Sequence, residues 1–237
     1  MLFISVFLLI FAFSSAYTED QTDINKYIDE ILSVHLPRHV KNADLDVYEV
    51  PDFYFNVRDN SASNDVFVGN VTFYRGNLTG LSVVHRGFCQ RSLTSTDSFS
   101  IICNIVLPRI DVRYRIRYEV LHEHSSSYKD LERKREFFGD ISVRNVEAQI
   151  ELKAPVDGDQ LTVTNLLLLG EEEVRKRLDF SDVNKNGFYN HLPIPIREIS
   201  TPFFKSSYYA FEQALYGSFR NALERAVASV SYPLEHY

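Results

Sequence analysis

Basic residues are in the minority: 25 Lys and Arg stand against 32 Asp and Glu, a formal net charge of −7. A net acidic chain is a poor partner for nucleic acid or an anionic membrane, because both are held largely by counter-charge. Gly/Ser-rich and Pro-rich linkers are lacking, so about 220 residues beyond the leader are expected to form one domain, residues 17–237. Internal repeats and low-complexity tracts are absent as well. After residue 16 no apolar run is long and uncharged enough to span a bilayer as a helix of about 20 residues, so no stable membrane insertion is expected. Only two cysteines occur, Cys89 and Cys103, and neither has a second Cys or a His at metal-ligand spacing.

What is present begins with an almost unbroken apolar run from Leu2 to Phe13, followed by the small residues Ser14-Ser15-Ala16. That is the pattern of a secretory signal, although Lys and Arg are missing ahead of the run. Residues 1–16 are therefore set aside as a signal peptide, and the mature chain is expected to be secreted and extracellular. An oxidising route and an even cysteine count predict one disulfide, Cys89 to Cys103. Two sequons, Asn70-Val71-Thr72 and Asn77-Leu78-Thr79, make Asn70 and Asn77 candidate glycosylation sites.

Three zones follow. In the first, Ile24, Tyr27, Ile28, Ile31 and Leu32 recur at helical spacing, which predicts an amphipathic helix with Thr22 as its N-cap and Pro37 as its stop. The second, roughly residues 45–169, alternates apolar and polar residues and predicts antiparallel strands. Ile110 to Val120 alternates without a fault; weaker alternation runs through Val66 to Phe73, Leu78 to Phe88, Phe99 to Leu107, Ile141 to Leu152 and Leu161 to Leu169. A slip of phase at Arg144-Asn145 predicts a bulge. The third zone opens at Thr201-Pro202, an N-cap with proline at the first helical position, and runs to about Ser231. Phe204, Tyr208, Phe211, Leu215, Phe219, Ala222, Ala226 and Val230 form a single apolar stripe along it. A helix of that span is roughly 40 Å long at about 1.5 Å per residue, too long for a small globule to bury end to end. A long curved sheet is its natural cover.

The fold class expected is thus α+β: a long, strongly curved antiparallel sheet wrapped around a long C-terminal helix, with an N-terminal amphipathic helix. That order of elements resembles the tubular lipid-binding (TULIP) superfamily. Within it the chain is most similar to the arthropod secreted group that includes mite group 7 allergens, and more distantly to juvenile hormone-binding and takeout-like proteins. The segment Gly69 to Arg86, with strand, glycine and strand leading into a positive residue, carries the resemblance, as does Ile141 to Leu169 followed by the long helix. The chain departs from the hormone carriers in placing its cysteine pair in the middle and not near the mature N-terminus. The resemblance implies a groove between sheet and helix that holds an apolar small molecule or lipid. Its candidate lining is Phe204, Tyr208, Phe211 and Leu215 from the helix, and Tyr114, Ile116 and Tyr118 from the strand.

Sharper chemistry finds little purchase. Asp182-Val183-Asn184-Lys185-Asn186-Gly187 matches the first half of a calcium loop, but Pro193 stands where a bidentate Glu is needed. His122-Glu123-His124 puts two imidazoles on one strand face without a third ligand. Gly80-Leu81-Ser82-Val83-Val84 lacks the second glycine of a nucleophile elbow. The mixed charges of Lys129 to Glu136 suit a solvated segment. No cofactor, metal or catalytic residue is expected. The leading reading is a carrier or sensor of an apolar ligand; a secreted interaction protein with a filled core is the alternative. A lipocalin-like barrel is the third, against which stand the absence of tryptophan, and with it of a Gly-x-Trp opening, and the prominent last helix.

Overall fold

The computed structural model describes residues 22–59, 67–95, 98–121, 134–155, 158–180 and 194–233. The signal segment, His122-Glu123-His124, Lys129 to Arg133 and Asp182 to Gly187 lie outside the described residues. Seven antiparallel strands make one open curved sheet: β1 (Val47–Val50), β2 (Phe53–Asp59), β3 (Phe67–Thr79), β4 (His85–Ser95), β5 (Ser98–Leu121), β6 (Lys134–Pro155) and β7 (Thr162–Asp179). The strand path is β1-β3-β5-β6-β7. β2 pairs with the first part of β3, and β4 with the first part of β5.

The long strands take their faces from alternation. On β6, buried and more open positions alternate over almost the whole strand, and Phe137, Ile141, Val143, Ile150 and Leu152 point inward. The phase slip at Arg144-Asn145 is present, but not as the predicted bulge: Asn145 has φ +47° and is unpaired with both neighbours, while the register is the same on either side of it, and the register shifts against β7 fall at Glu147/Ala148 and Glu151/Leu152. Pro108 on β5 is skipped on the same line, since Leu107 pairs with Val146 and Arg109 with Arg144. Both strands thus slip by one residue together, so Leu107 and Ile110 on β5 and Val143 and Val146 on β6 all stay inward. The slip also explains how proline sits inside a central strand, at a place where no ladder hydrogen bond is asked of it. Asn145 Nδ2 donates to the Glu172 carboxylate on β7, extending the line across a third strand.

Several sequence boundaries move. Leu78 to Phe88 is not one strand, because the chain turns at Gly80, whose φ is +105° and where a Cβ would meet the Arg109 carbonyl. Phe99 to Leu107 and Ile110 to Val120 are one strand, joined through Pro108, and the last strand continues beyond Leu169 to Asp179. Pro37 does not stop the first helix, α1, which is helical from residue 22 through Asn42. A wide π turn, Ile31–His35, precedes it and leaves Pro37 in the opening turn of the next α segment, where its missing N–H is not needed. Helix α1 then closes at Asp44, in the left-handed region at φ +54°.

The C-terminal helix, α2, begins at Ile196, before the predicted cap Thr201, and runs as α (Ile196–Ala214), π (Leu215–Phe219) and α (Arg220–Ala228). Pro202 lies inside it, and Ile199 and Phe203, both fully buried, hold the helix together on either side. Helix α1 packs its Ile24, Ile28, Leu32 and Leu36 face into the core at the C-terminal end of α2. Tyr27 meets Tyr232 edge-on at 5.1 Å, and Arg86 of β4 clasps Asp29 of α1 with two hydrogen bonds, of 2.8 and 3.2 Å. This is the sheet-and-helix arrangement expected from the sequence.

Candidate functional site

The seam between α2 and the inner face of the sheet is not uniform along its length. At the N-terminal end of α2 it is solid. Phe203 stacks on Phe73 of β3, which stacks in turn on Phe53 of β2 at 4.3 Å and 6°. Tyr114 stands edge-on to both Phe53 and Phe203, and its hydroxyl donates to the Pro51 carbonyl at 3.0 Å. Burial and the Asp52 charge raise the Tyr114 pKa well above its usual value, so the hydroxyl remains a neutral donor. Gly76 leaves the space that the Tyr114 ring fills; a Cβ there would lie 2.2 Å from the ring. At the other end, Leu215 and Phe219 are fully buried where the helix turns towards α1.

Between these blocks lies a hollow of about 310 Å³. Its floor is Ile110 and Val112 of β5, Ile141 and Val143 of β6, and Val174 of β7; its roof is Phe204, Ser207, Tyr208 and Phe211 of α2. The register explains the floor, since Val112 pairs with Ile141, Ile141 with Lys176 and Val143 with Val174. None of these floor side chains is long enough to reach the helix as an aromatic would, and so the space stays open. Polar groups gather at the edge: Lys176 on β7, Lys205 on α2 and Glu171 on β7. The Lys176 ammonium lies 4.5 Å from the centre of the Phe204 ring. Tyr208 is raised in pKa by burial first and then by Glu171 and Glu212, and it remains a neutral hydroxyl. Ser207 is 1 % exposed, and its Oγ has no hydrogen-bond partner among the described residues.

Of the seven residues proposed from sequence to line a groove, Phe204, Tyr208 and Phe211 are on this hollow. Leu215 is packed beyond it. Tyr114, Ile116 and Tyr118 are fully buried on the solid side of the seam, so the strand part of the wall is Ile110 and Val112, earlier on the same strand. Alternation along β5 marks all five as inward; only the position of Phe203 and the short side chains of β6 and β7 decide which face open space. Cys89 and Cys103 are opposite one another on β4 and β5 and form the disulfide. Asn70 and Asn77 both lie on β3, and Asn77 borders a polar depression with Arg113 and Asp140.

Two other clusters were candidates for chemistry. Ser229 Oγ is 2.8 Å from His35 Nδ1, and His35 Nε2 is 3.6 Å from Glu30. The same hydroxyl donates to the Ala226 carbonyl at 2.7 Å, as a serine closing the end of a helix does. The polar depression beside Asn77 is crossed by the Arg113–Asp140 and Arg109–Asp111 ion pairs. Among the described residues no group of three His, Cys, Asp or Glu is placed to hold a metal ion, and no helix is long and apolar enough to cross a membrane.

No family model and no curated protein matches the chain. Among solved structures it is similar to lipopolysaccharide binding protein, with a TM-score of 0.40 and 12% identity over 83% of this chain and 35% of that one. It is also similar to Takeout 1 of Epiphyas postvittana, with a TM-score of 0.39 and 12% identity over 86% of this chain and 92% of that one. The chain therefore spans about a third of the first protein and nearly all of the second. Neither is a mite group 7 protein, and that finer resemblance stays an expectation from sequence.

Proposed function

We propose that the chain is a secreted, non-enzymatic carrier or sensor of an apolar ligand, held between the sheet and α2. The observation that carries this reading is the hollow itself, an apolar floor of Ile110, Val112, Ile141 and Val143 under Phe204 and Phe211. The hollow of about 310 Å³ is open to solvent along its rim of Glu171, Val174, Lys176 and Tyr208, and its aliphatic and aromatic wall is apolar surface that a bound chain would take out of water. It falls at the small end of ligand cavities, roughly 300–1,000 Å³. Each CH₂ moved from water into it is worth about 0.8 kcal/mol, so an acyl or terpenoid chain needs no polar anchor to be held. Secretion is proposed from the leader and fits the disulfide.

The competing reading, a secreted interaction protein with a filled core, draws support from the aromatic block of Phe53, Phe73, Tyr114 and Phe203. A pair of substitutions separates the two. Val143 borders the hollow and Val146, three residues on and equally inward, does not. Under the carrier reading Val143→Phe fills free space, leaves stability within about 1 kcal/mol and abolishes binding of N-phenyl-1-naphthylamine. Val146→Phe overpacks a filled site and costs about 1–3 kcal/mol while probe binding persists in the folded fraction. If wild type does not bind the probe and Val143→Phe is as damaging as Val146→Phe, the carrier reading is wrong.

A further inference from the structure

The rim of the hollow carries a polarity that an apolar ligand alone does not use. Lys176 stands on the inward face of β7, in line with Val174, and not on the outward face where Arg175 and Arg177 find Glu173 and Asp179. Neither Lys176 nor Lys205 has an ion-pair partner among the described residues. Both are exposed enough to stay hydrated, yet both border the same cavity. Behind them the Ser207 hydroxyl is buried without a partner among the described residues, although a helical serine ordinarily satisfies itself on the carbonyl one turn back. As it stands the hydroxyl has almost no surface open to the hollow, and a turn of the side chain about its Cα–Cβ bond would present it to a ligand there. The remaining charge on the rim, Glu171, lies beside Tyr208 and repels a second anion from that end.

We infer that the ligand is a single-chain amphiphile with an anionic head, its tail on Ile110, Val112 and Val143 and its head between Lys176, Lys205 and Ser207. The inference rests on the carrier reading and goes beyond it by fixing the charge and the orientation of the ligand. The hollow of about 310 Å³ matches the volume of one slender chain. An oxygen anion suits the site because ammonium groups and a hydroxyl all donate to it, and charge-assisted hydrogen bonds are the stronger kind. Carboxylate and phosphate heads share that chemistry.

Displacement of N-phenyl-1-naphthylamine by dodecanoate, dodecyl phosphate, dodecanol and dodecylammonium tests it at low salt, with wild type and with the double variant Lys176→Met/Lys205→Met. Wild type is expected to bind at least one of the two anions about tenfold tighter than dodecanol, and dodecylammonium most weakly. Which anion gains more tells a carboxylate head from a phosphate one. In the double variant the ratio of anion to dodecanol affinity should fall to about one, whatever the change in dodecanol binding itself. A matching thermal midpoint shows that the exposed lysines were replaced without loss of fold. Equal binding of anion and alcohol by wild type, or an anion advantage that survives in the double variant, overturns the inference and leaves the carrier reading standing. If the probe and all four amphiphiles fail to bind wild type, the carrier reading falls and the inference with it.

Discussion

The ring of Phe203 on α2 lies parallel to that of Phe73 on β3, with centroids 5.2 Å apart and planes 11° from parallel. This contact closes one end of the helix–sheet seam and bounds the hollow on that side. Gly139 on β6 makes the approach possible, since a Cβ there would come within 2.8 Å of the Phe203 ring.

Removing that ring should be far more costly than removing its neighbour. Phe203→Ala is expected to lose about 3–5 kcal/mol in urea unfolding, because the void is surrounded by rings that cannot collapse into it. Phe204→Ala, at a half-buried position on the open hollow, should lose about 1 kcal/mol. Equal losses would mean that the seam is uniformly filled.

That contrast also shows what the sequence revealed and what it hid. The alternation of β5 and β6 and the helical spacing of α1 identify the inward residues because burial on one face leaves a fixed period. Over the first turns of α2 the stripe through Phe204 and Tyr208 lies one residue away from the buried positions, Ile199 and Phe203, and Tyr208 is 40% exposed. Pro202 reads as a helix start but lies inside α2, so Ile199 falls ahead of the boundary that the sequence marks. Pro37 likewise reads as a stop, yet α1 continues through it, because the π turn before it admits a proline that an unbroken α-helix would reject. Where the seam is hollow depends on which short side chains of β6 and β7 face which part of α2, and no local period records that pairing.

The disulfide should contribute measurable stability. Cys89 and Cys103 are fully buried partners on adjacent strands, 14 residues apart in sequence. The double replacement Cys89→Ala/Cys103→Ala is expected to lower unfolding free energy by about 3 kcal/mol, the loop-closure value for a loop of roughly this size. An unchanged urea midpoint, or alkylation of both thiols in the native secreted protein, would contradict this.

Two outward carboxylates should respond to pH in opposite directions. Burial acts to raise the Glu136 pKa, but hydrogen bonds from Tyr74 and Arg117, and the charges of Arg115 and Arg117, outweigh it and hold the carboxyl below its usual range. Its contribution is therefore present above the unfolded value, about 4.3, and is lost as pH falls through the lower folded value. For Asp140 burial is the largest effect and Arg113 and Arg177 do not overcome it, so the folded pKa is raised. The charged form costs stability at neutral pH, and the cost is relieved as pH falls below the folded value. Glu136→Gln should lose roughly 0.5–1 kcal/mol at pH 7, whereas Asp140→Asn should be neutral or slightly stabilising. Equal destabilisation by the two would refute this assignment.

The sequons should differ in occupancy. Asn77 faces the outward polar depression, whereas the Asn70 side-chain oxygen is buried in the sheet without a partner, between Asn56 and Glu119. A glycan is expected at Asn77 and not at Asn70. Peptide mapping of the secreted protein before and after enzymatic glycan removal decides it; a glycan on Asn70 with Asn77 bare is the opposite outcome.

The most direct test of the central claim is native mass spectrometry of the protein purified from secreting cells without organic solvent, paired with the Val143→Phe variant. A cavity that carries a ligand requires wild type to retain one small molecule per chain, released on activation and recovered as a single-chain lipid on extraction, and requires the variant to be empty. A wild-type chain that shows only its own covalent mass, and that takes up no amphiphile when one is added, would contradict the claim.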